Sequence, residues 1–169
     1  MADRVISSAA KLLGAALSVS GRTLAVAESC TGGLLGGSVT SIPGSSLYFS
    51  GGVVAYGNSA KISLLGVPPG LISARGAVSR EVALAMAEGV LSLFRADLAI
   101  AVTGVAGPGG GSRGKPVGTV WIALATPGGV RYAHRFRFPG SREAVRRETV
   151  RASLAAAIDV LRSEAAERK

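Results

Sequence analysis

Apolar positions change their period along this chain, and the changes mark its elements. Over residues 1–20, Val5, Ile6, Ala9, Leu12, Leu13, Ala16 and Leu17 recur every three or four residues, which predicts an amphipathic helix. Gly21 is placed to stop it. Residues 23–29, TLAVAES, are a short apolar run with a polar end and predict a buried strand. Thr31-Gly32-Gly33 then opens a second helix, LLGGSVTSI, which must end before Pro43. Gly44-Ser45-Ser46 reads as a loop and residues 50–56, SGGVVAY, as another strand. Asn58 is placed to cap a short helix, SAKISLL, that Gly66 closes. Residues 67–76 contain Pro and Gly breakers and predict a loop.

The second half is more strongly patterned. Ser79 caps a helix over residues 79–95, with Val82, Ala83, Met86, Val90, Leu91 and Phe94 as its apolar stripe. Residues 97–103, DLAIAVT, are the most strand-like run in the chain. A long glycine loop, GVAGPGGGSRGKPVG, fills 104–118, and loops of that length inside a compact domain usually carry function or motion. Residues 119–126 and 130–138 predict a hairpin around Pro127-Gly128-Gly129. Its second strand alternates, with Arg131, Arg135 and Arg137 on one side and Tyr132, His134, Phe136 and Phe138 on the other. A long helix follows over 142–167. No linker, repeat or low-complexity segment divides residues 1–169, so one domain is expected. The order of elements implies an α/β fold: a three-layer α/β/α sandwich with a mixed, mostly parallel sheet.

Composition sharpens this picture. Hydrophobic residues make up 48% of the 169 but aromatics only 5%, so the core must be built from Ala, Val, Leu and Ile. Asp3 and Lys11 interrupt the first apolar run, which argues against a signal peptide, and no continuous apolar stretch approaches the ~20 residues that span a membrane. A net charge of +9 invites an anionic partner. The basic residues are scattered, with the densest group at Arg131, Arg135, Arg137, Arg142, Arg146, Arg147 and Arg151, and few aromatics stand among them to stack on bases. A small anionic substrate therefore fits better than nucleic acid. The single cysteine, Cys30, permits no intrachain disulfide, and the single histidine, His134, leaves no zinc-type spacing. A reducing cytoplasm is the simplest setting.

Candidate chemistry gathers at strand ends. Glu28-Ser29-Cys30-Thr31-Gly32-Gly33, Tyr56-Gly57-Asn58 and Thr103-Gly104-Val105-Ala106-Gly107 each follow a predicted strand, and open α/β sheets bind ligands outside the carboxyl ends of their strands. The first loop also opens a helix, whose free N–H groups attract an anion. The plainer alternative is that these glycines only make tight turns. Cys30 sits where a helix N-terminus would lower a thiol pKa, but a cysteine hydrolase needs a histidine base, and His134 reads as a core residue. The serines therefore rank above Cys30. A serine needs a base, and among the lysines Lys11 and Lys169 lie on terminal helices and Lys115 in the glycine loop. Lys61 lies in the first turn of the helix after Asn58, where the helix dipole, and burial if present, would lower its pKa from ~10.4. A solvated helix lysine is the plain alternative, and position alone does not choose between them.

Taken in order, AESCTGG (27–33), PGSS (43–46), GGVVAYGNSAK (51–61), GVP (66–68), GAVS (76–79), TGVAGPGGGSRGKPVGTVW (103–121) and FPGSREAVR (138–146) resemble the CinA C-terminal domain family across nearly the whole chain. The resemblance implies an α/β/α fold and nicotinamide-nucleotide amidase activity, converting nicotinamide mononucleotide to nicotinate mononucleotide and ammonia in the salvage of pyridine nucleotides. By position it implies Ser46 as nucleophile and Lys61 as general base, with Ser29, Tyr56 and Thr103 completing the hydrogen-bond network. Thr31, Gly32, Gly33 and Gly104 line the expected nucleotide site, and Arg142 is expected to help bind the phosphate. The implied mechanism requires no metal or organic cofactor. Many members fuse this domain to a nucleotide-pyrophosphatase domain, whose activity is not expected of this chain. Relatives often carry an acid where Gly109 stands. The family also leads us to expect a homo-oligomer. The competing readings are a catalytically silent nucleotide-binding module and a competence-related, DNA-linked interaction module.

Overall fold

The computed structural model describes residues 2–129 and 131–167. Helix α1 (Ala2–Ser20) buries Ile6, Ala10, Leu13 and Leu17, one stripe at helical spacing, while Val5 and Leu12 stay about half exposed. Gly21 ends it in the left-handed conformation, its N–H bonded to Ser18 O, with the Arg22 N–H bonded to Leu17 O. There follow β1 (Leu24–Glu28), α2 (Leu34–Thr40), a 3-10 turn (Ser45–Leu47), β2 (Phe49–Val54), α3 (Asn58–Leu65), α4 (Pro69–Arg75), α5 (Arg80–Phe94), β3 (Leu98–Gly104), β4 (Thr119–Ala125), β5 (Arg131–Arg137) and α6 (Arg142–Glu167).

The five strands form one sheet in the order β2-β1-β3-β4-β5. β1 pairs in parallel with β2 and β3, and β4 pairs antiparallel with β3 and β5. All strands but β4 thus run the same way, the mixed, mostly parallel sheet expected from the alternation of elements. Its two faces differ chemically. Leu24, Val26, Leu98, Ile100, Val102, Val120, Ile122 and Leu124 face α1, α2 and α6. Ala25, Ala27, Ala99, Ala101, Ala123 and Ala125 face α5, flanked by α3 and α4. Small side chains let α5 approach the sheet closely, and burial on both faces accounts for the continuous apolar runs of β1 and β3.

Three local expectations change. Residues 67–76 hold helix α4, because Pro69 stands at its first position, where a missing N–H costs nothing. α3 begins at Asn58 with Gly57 as the capping residue and no side-chain cap, so Asn58 is not the N-cap. Ser79 does cap α5, accepting from the Val82 N–H at 3.3 Å. His134 is not a core residue: it is exposed, stacked on Tyr132 with ring centroids 4.3 Å apart, because the face it shares with Tyr132 is only partly covered by α6. Val130 and the side chain of Arg131, both assigned to this strand from the sequence, lie outside the described residues.

Candidate active site

The chain switches direction across the sheet at β1. It leaves β1 through α2 to reach β2, then returns through α5 to β3 on the other side. The crevice outside the carboxyl ends of β1 and β3 is where such sheets bind ligands. Here the Ser29 N–H continues the ladder by donating to Val102 O at 3.0 Å, which sets Ser29 beside Thr103 at that edge.

Lys61 defines the chemistry of this edge. It is 1% exposed, among the largest fully buried side chains of the protein. From α3 its side chain reaches back toward the chain that enters the helix. Nζ lies 3.1 Å from Ser29 Oγ, 2.9 Å from Ala55 O and 3.0 Å from Tyr56 O. None of these three partners is a carboxylate. Burial therefore lowers the Lys61 pKa, because the charged form loses water and gains no counter-ion. Strand β2 stops at Val54, which turns the Ala55 and Tyr56 carbonyls away from the ladder and toward this amine.

Ser46 is elsewhere. It is exposed, in the 3-10 turn that precedes β2, and Phe49 at the start of β2 pairs with Leu24 at the start of β1. The length of β2, about 17 Å at strand rise, separates Ser46 from the edge that holds Lys61. The expected Ser46–Lys61 pair is thus not formed in this chain, and the serine brought to the amine is Ser29.

Glu28, also 1% exposed, does not serve as a partner for Lys61. Its carboxylate accepts from the N–H groups of Gly33, Leu35 and Gly36 at 3.0, 3.0 and 2.8 Å. The start of α2 is therefore occupied by the protein's own carboxylate, which corrects the expectation of free N–H groups for an anion there. Gly32 and Gly33 adopt left-handed φ values of +56° and +95° that make this turn. The Thr31 side chain is fully buried, so it is not open to a ligand. At Gly104 a Cβ would stand 2.7 Å from Thr119 O, so this glycine lets β4 approach β3. Cys30 is buried, and burial foremost, with the Glu28 charge adding, pushes its thiol up to about 12. The thiol pKa moves opposite to the sequence expectation because burial outweighs the nearby helix start.

Thr103 is buried and donates through Oγ1 to Ala77 O at 2.9 Å, pinning the loop before α5 over the edge. Tyr56 is exposed, and its hydroxyl accepts from Arg142 Nη2 at 2.8 Å, while Arg142 Nη1 donates to Gly107 O at 2.8 Å. Arg142, at the first position of α6, thereby links the loops after β2 and β3. One turn on, Arg146 donates from Nη2 to Thr31 O at 2.7 Å and braces the Ser29 loop. The sequence reading missed this brace, although the i, i+4 spacing from Arg142 places both on one face of α6. Among the described residues no group of three or more His, Cys, Asp and Glu could hold a metal ion, and no helix is long and apolar enough to cross a membrane. At Gly109 a Cβ would meet nothing within 4 Å, so an acidic side chain would have room there.

The fold and this edge define an α/β sandwich with a hydroxyl and a buried, uncompensated amine at its topological switch point. Residues 6–161 match the CinA C-terminal domain, and the chain belongs to that family. It is 53% identical over 152 residues to a CinA-like protein of Desulfotalea psychrophila, covering 90% of this chain and 36% of that protein. It is 60% identical over 126 residues to a CinA-like protein of Geobacter metallireducens, covering 75% of this chain and 30% of that protein. The chain thus spans about a third of the length of these curated relatives. Among solved structures, the competence/damage inducible protein CihA from Agrobacterium tumefaciens superposes with a TM-score of 0.91 at 43% identity, over 94% of this chain and 96% of that one. A CinA superfamily protein from Klebsiella pneumoniae gives 0.90 at 36% identity, over 94% and 98%.

Proposed function

We propose that this chain is an amidohydrolase that cleaves a carboxamide by acyl transfer through Ser29 and Lys61, with nicotinamide mononucleotide as the substrate that its family resemblance implies. The observation that carries the reading is the contact of 3.1 Å between Lys61 Nζ and Ser29 Oγ inside a site with no carboxylate for the amine. A neutral amine has two N–H groups and one lone pair. The Ala55 and Tyr56 carbonyls accept the two N–H groups, which leaves the lone pair for the Ser29 hydroxyl proton. Ser29 Oγ attacks the carboxamide carbon as Lys61 takes that proton. The tetrahedral intermediate then expels ammonia, which receives the proton from Lys61. Water, deprotonated by the same amine, hydrolyses the serine ester and releases nicotinate mononucleotide. Arg142 and the Tyr56 hydroxyl frame the mouth through which the nucleotide enters, Arg142 being the residue assigned to its binding. A cytoplasmic enzyme suits a reduced, buried Cys30.

The test is ammonia release from nicotinamide mononucleotide by the native protein, Ser29→Ala and Ser46→Ala. Ser29→Ala should lose at least about 10³-fold in kcat with an unaltered melt, as expected for a nucleophile. Ser46→Ala should keep most of its rate. The reverse result would remove Ser29 from the mechanism. Absence of turnover by native protein that binds the nucleotide would leave a binding module instead.

A further inference from the structure

Thr103, Trp121 and Arg135 are successive partners in register across β3, β4 and β5. They share the alanine face of the sheet with Ala101, Ala123 and Ala133. Trp121 and Arg135 border a pocket of about 320 Å³ between the end of α4, the start of α5 and the glycine loop. Arg75, Arg80, Lys115 and Arg135 line it, and Glu81 is the one carboxylate among the lining residues, 3.9 Å from Arg75. Two hydrogen bonds draw the glycine loop against this pocket: Lys115 Nζ donates to Arg75 O and Arg135 Nη2 donates to Gly114 O, each at 2.8 Å. The loop is thereby a wall of the cavity.

The electrostatics point to an anion. Arg80 is the first residue of α5, a helix of 15 residues, and a cation at that end opposes the macrodipole. Three further cations around the same cavity repel it and one another. A multivalent anion that the arginine forks can bind in pairs would offset that repulsion. Trp121, half-buried beneath them, offers an aromatic wall to the part of the ligand that adjoins the charge. The hydrogen bond from Thr103 to Ala77 O lies between this pocket and Ser29.

We propose that this pocket is a binding site for a phosphate-bearing anion, in which Arg75, Arg80, Lys115 and Arg135 hold the phosphate and Trp121 contacts the adjoining group. The proposal does not depend on the amidase reading. Trp121 is the only tryptophan in the chain, so its emission reports on this pocket alone. Native protein is titrated with inorganic phosphate and with pyrophosphate at constant ionic strength, sodium chloride serving as the control. A saturable change in Trp121 emission is expected with both anions, and Arg80→Gln and Arg135→Gln should each raise the apparent Kd at least about tenfold. Arg151→Gln, an exposed α6 arginine that pairs with Glu148 and lies outside the pocket lining, should leave that Kd unchanged. Repeating the pyrophosphate titration with saturating nicotinamide mononucleotide in the Ser29→Ala background identifies the source of the phosphate. Competition would mean that the substrate's own phosphate reaches the pocket, and independence would mean a separate phosphorylated ligand. A Trp121 response no larger than that to chloride, or a Kd unmoved in both Arg80→Gln and Arg135→Gln with native far-ultraviolet dichroism, would overturn the proposal.

Discussion

Replacing Lys61 with methionine separates the base from the buried charge. Methionine keeps an unbranched side chain of similar reach but carries no proton. The amine's two hydrogen bonds to the Ala55 and Tyr56 carbonyls are lost, and each buried acceptor left alone costs about 1–3 kcal/mol. An opposing contribution comes from protonation. Burial lowers the folded-state pKa of Lys61 below the unfolded value of ~10.4, and each unit of lowering removes about 1.4 kcal/mol of stability at pH values below the folded pKa. Between the folded and unfolded pKa values the unfolded chain holds a proton that the folded amine has released. Stability gained from Lys61 therefore rises with pH across that window and levels off above ~10.4. The methionine variant has no such rise. Denaturant melts of both proteins from about pH 6 to about pH 11 should show the native protein gaining on the variant as pH increases, the other titrations cancelling in the difference. In the amidase assay the variant should lose about 10²–10⁴-fold in kcat, the usual weight of a general base. A difference in stability that stays flat through the window would mean that Lys61 keeps its proton in the folded state. An inactive variant with that flat profile would make Lys61 an electrostatic stabiliser, and a fully active variant would remove it from the mechanism.

Two further tests address the surroundings. With its thiol pushed up to about 12 by burial, Cys30 should resist iodoacetamide near neutral pH until denaturant is added, and Cys30→Ala should retain most activity; rapid native labelling with loss of turnover would contradict this. Gly89→Ala should destabilise the fold by about 1–3 kcal/mol or more and depress activity with it, because a Cβ there would stand 2.0 Å from Leu65 O at the end of the helix that carries Lys61; an unaltered denaturation midpoint would refute that packing.

Several features of this protein were legible in its sequence because local physics alone decides them. The period of α1, the cap of α5 at Ser79, the uninterrupted apolar run of β3 and the proline-glycine hairpin turn each depend on neighbours within a few residues. Their alternation implied the layered fold and a site at the strand ends. α4 escaped because the same prolines that break a helix also begin one, and the choice rests on whether Leu71 and Ile72 find an apolar surface, which α5 and its neighbours supply. The partner of Lys61 was decided only in three dimensions. Ser46 is nearer to it in sequence, yet β2 carries the chain from the amino end to the carboxyl end of the parallel strands between them, while the order β2-β1-β3 brings Ser29 alongside. Likewise the fate of the Glu28 carboxylate depended on which backbone amides α2 presented to it, and the basic pocket on a glycine loop folding against α5. Composition supplied the charges, but burial and proximity, which only packing sets, decide which of them is a base, which is a brace and which is a ligand site.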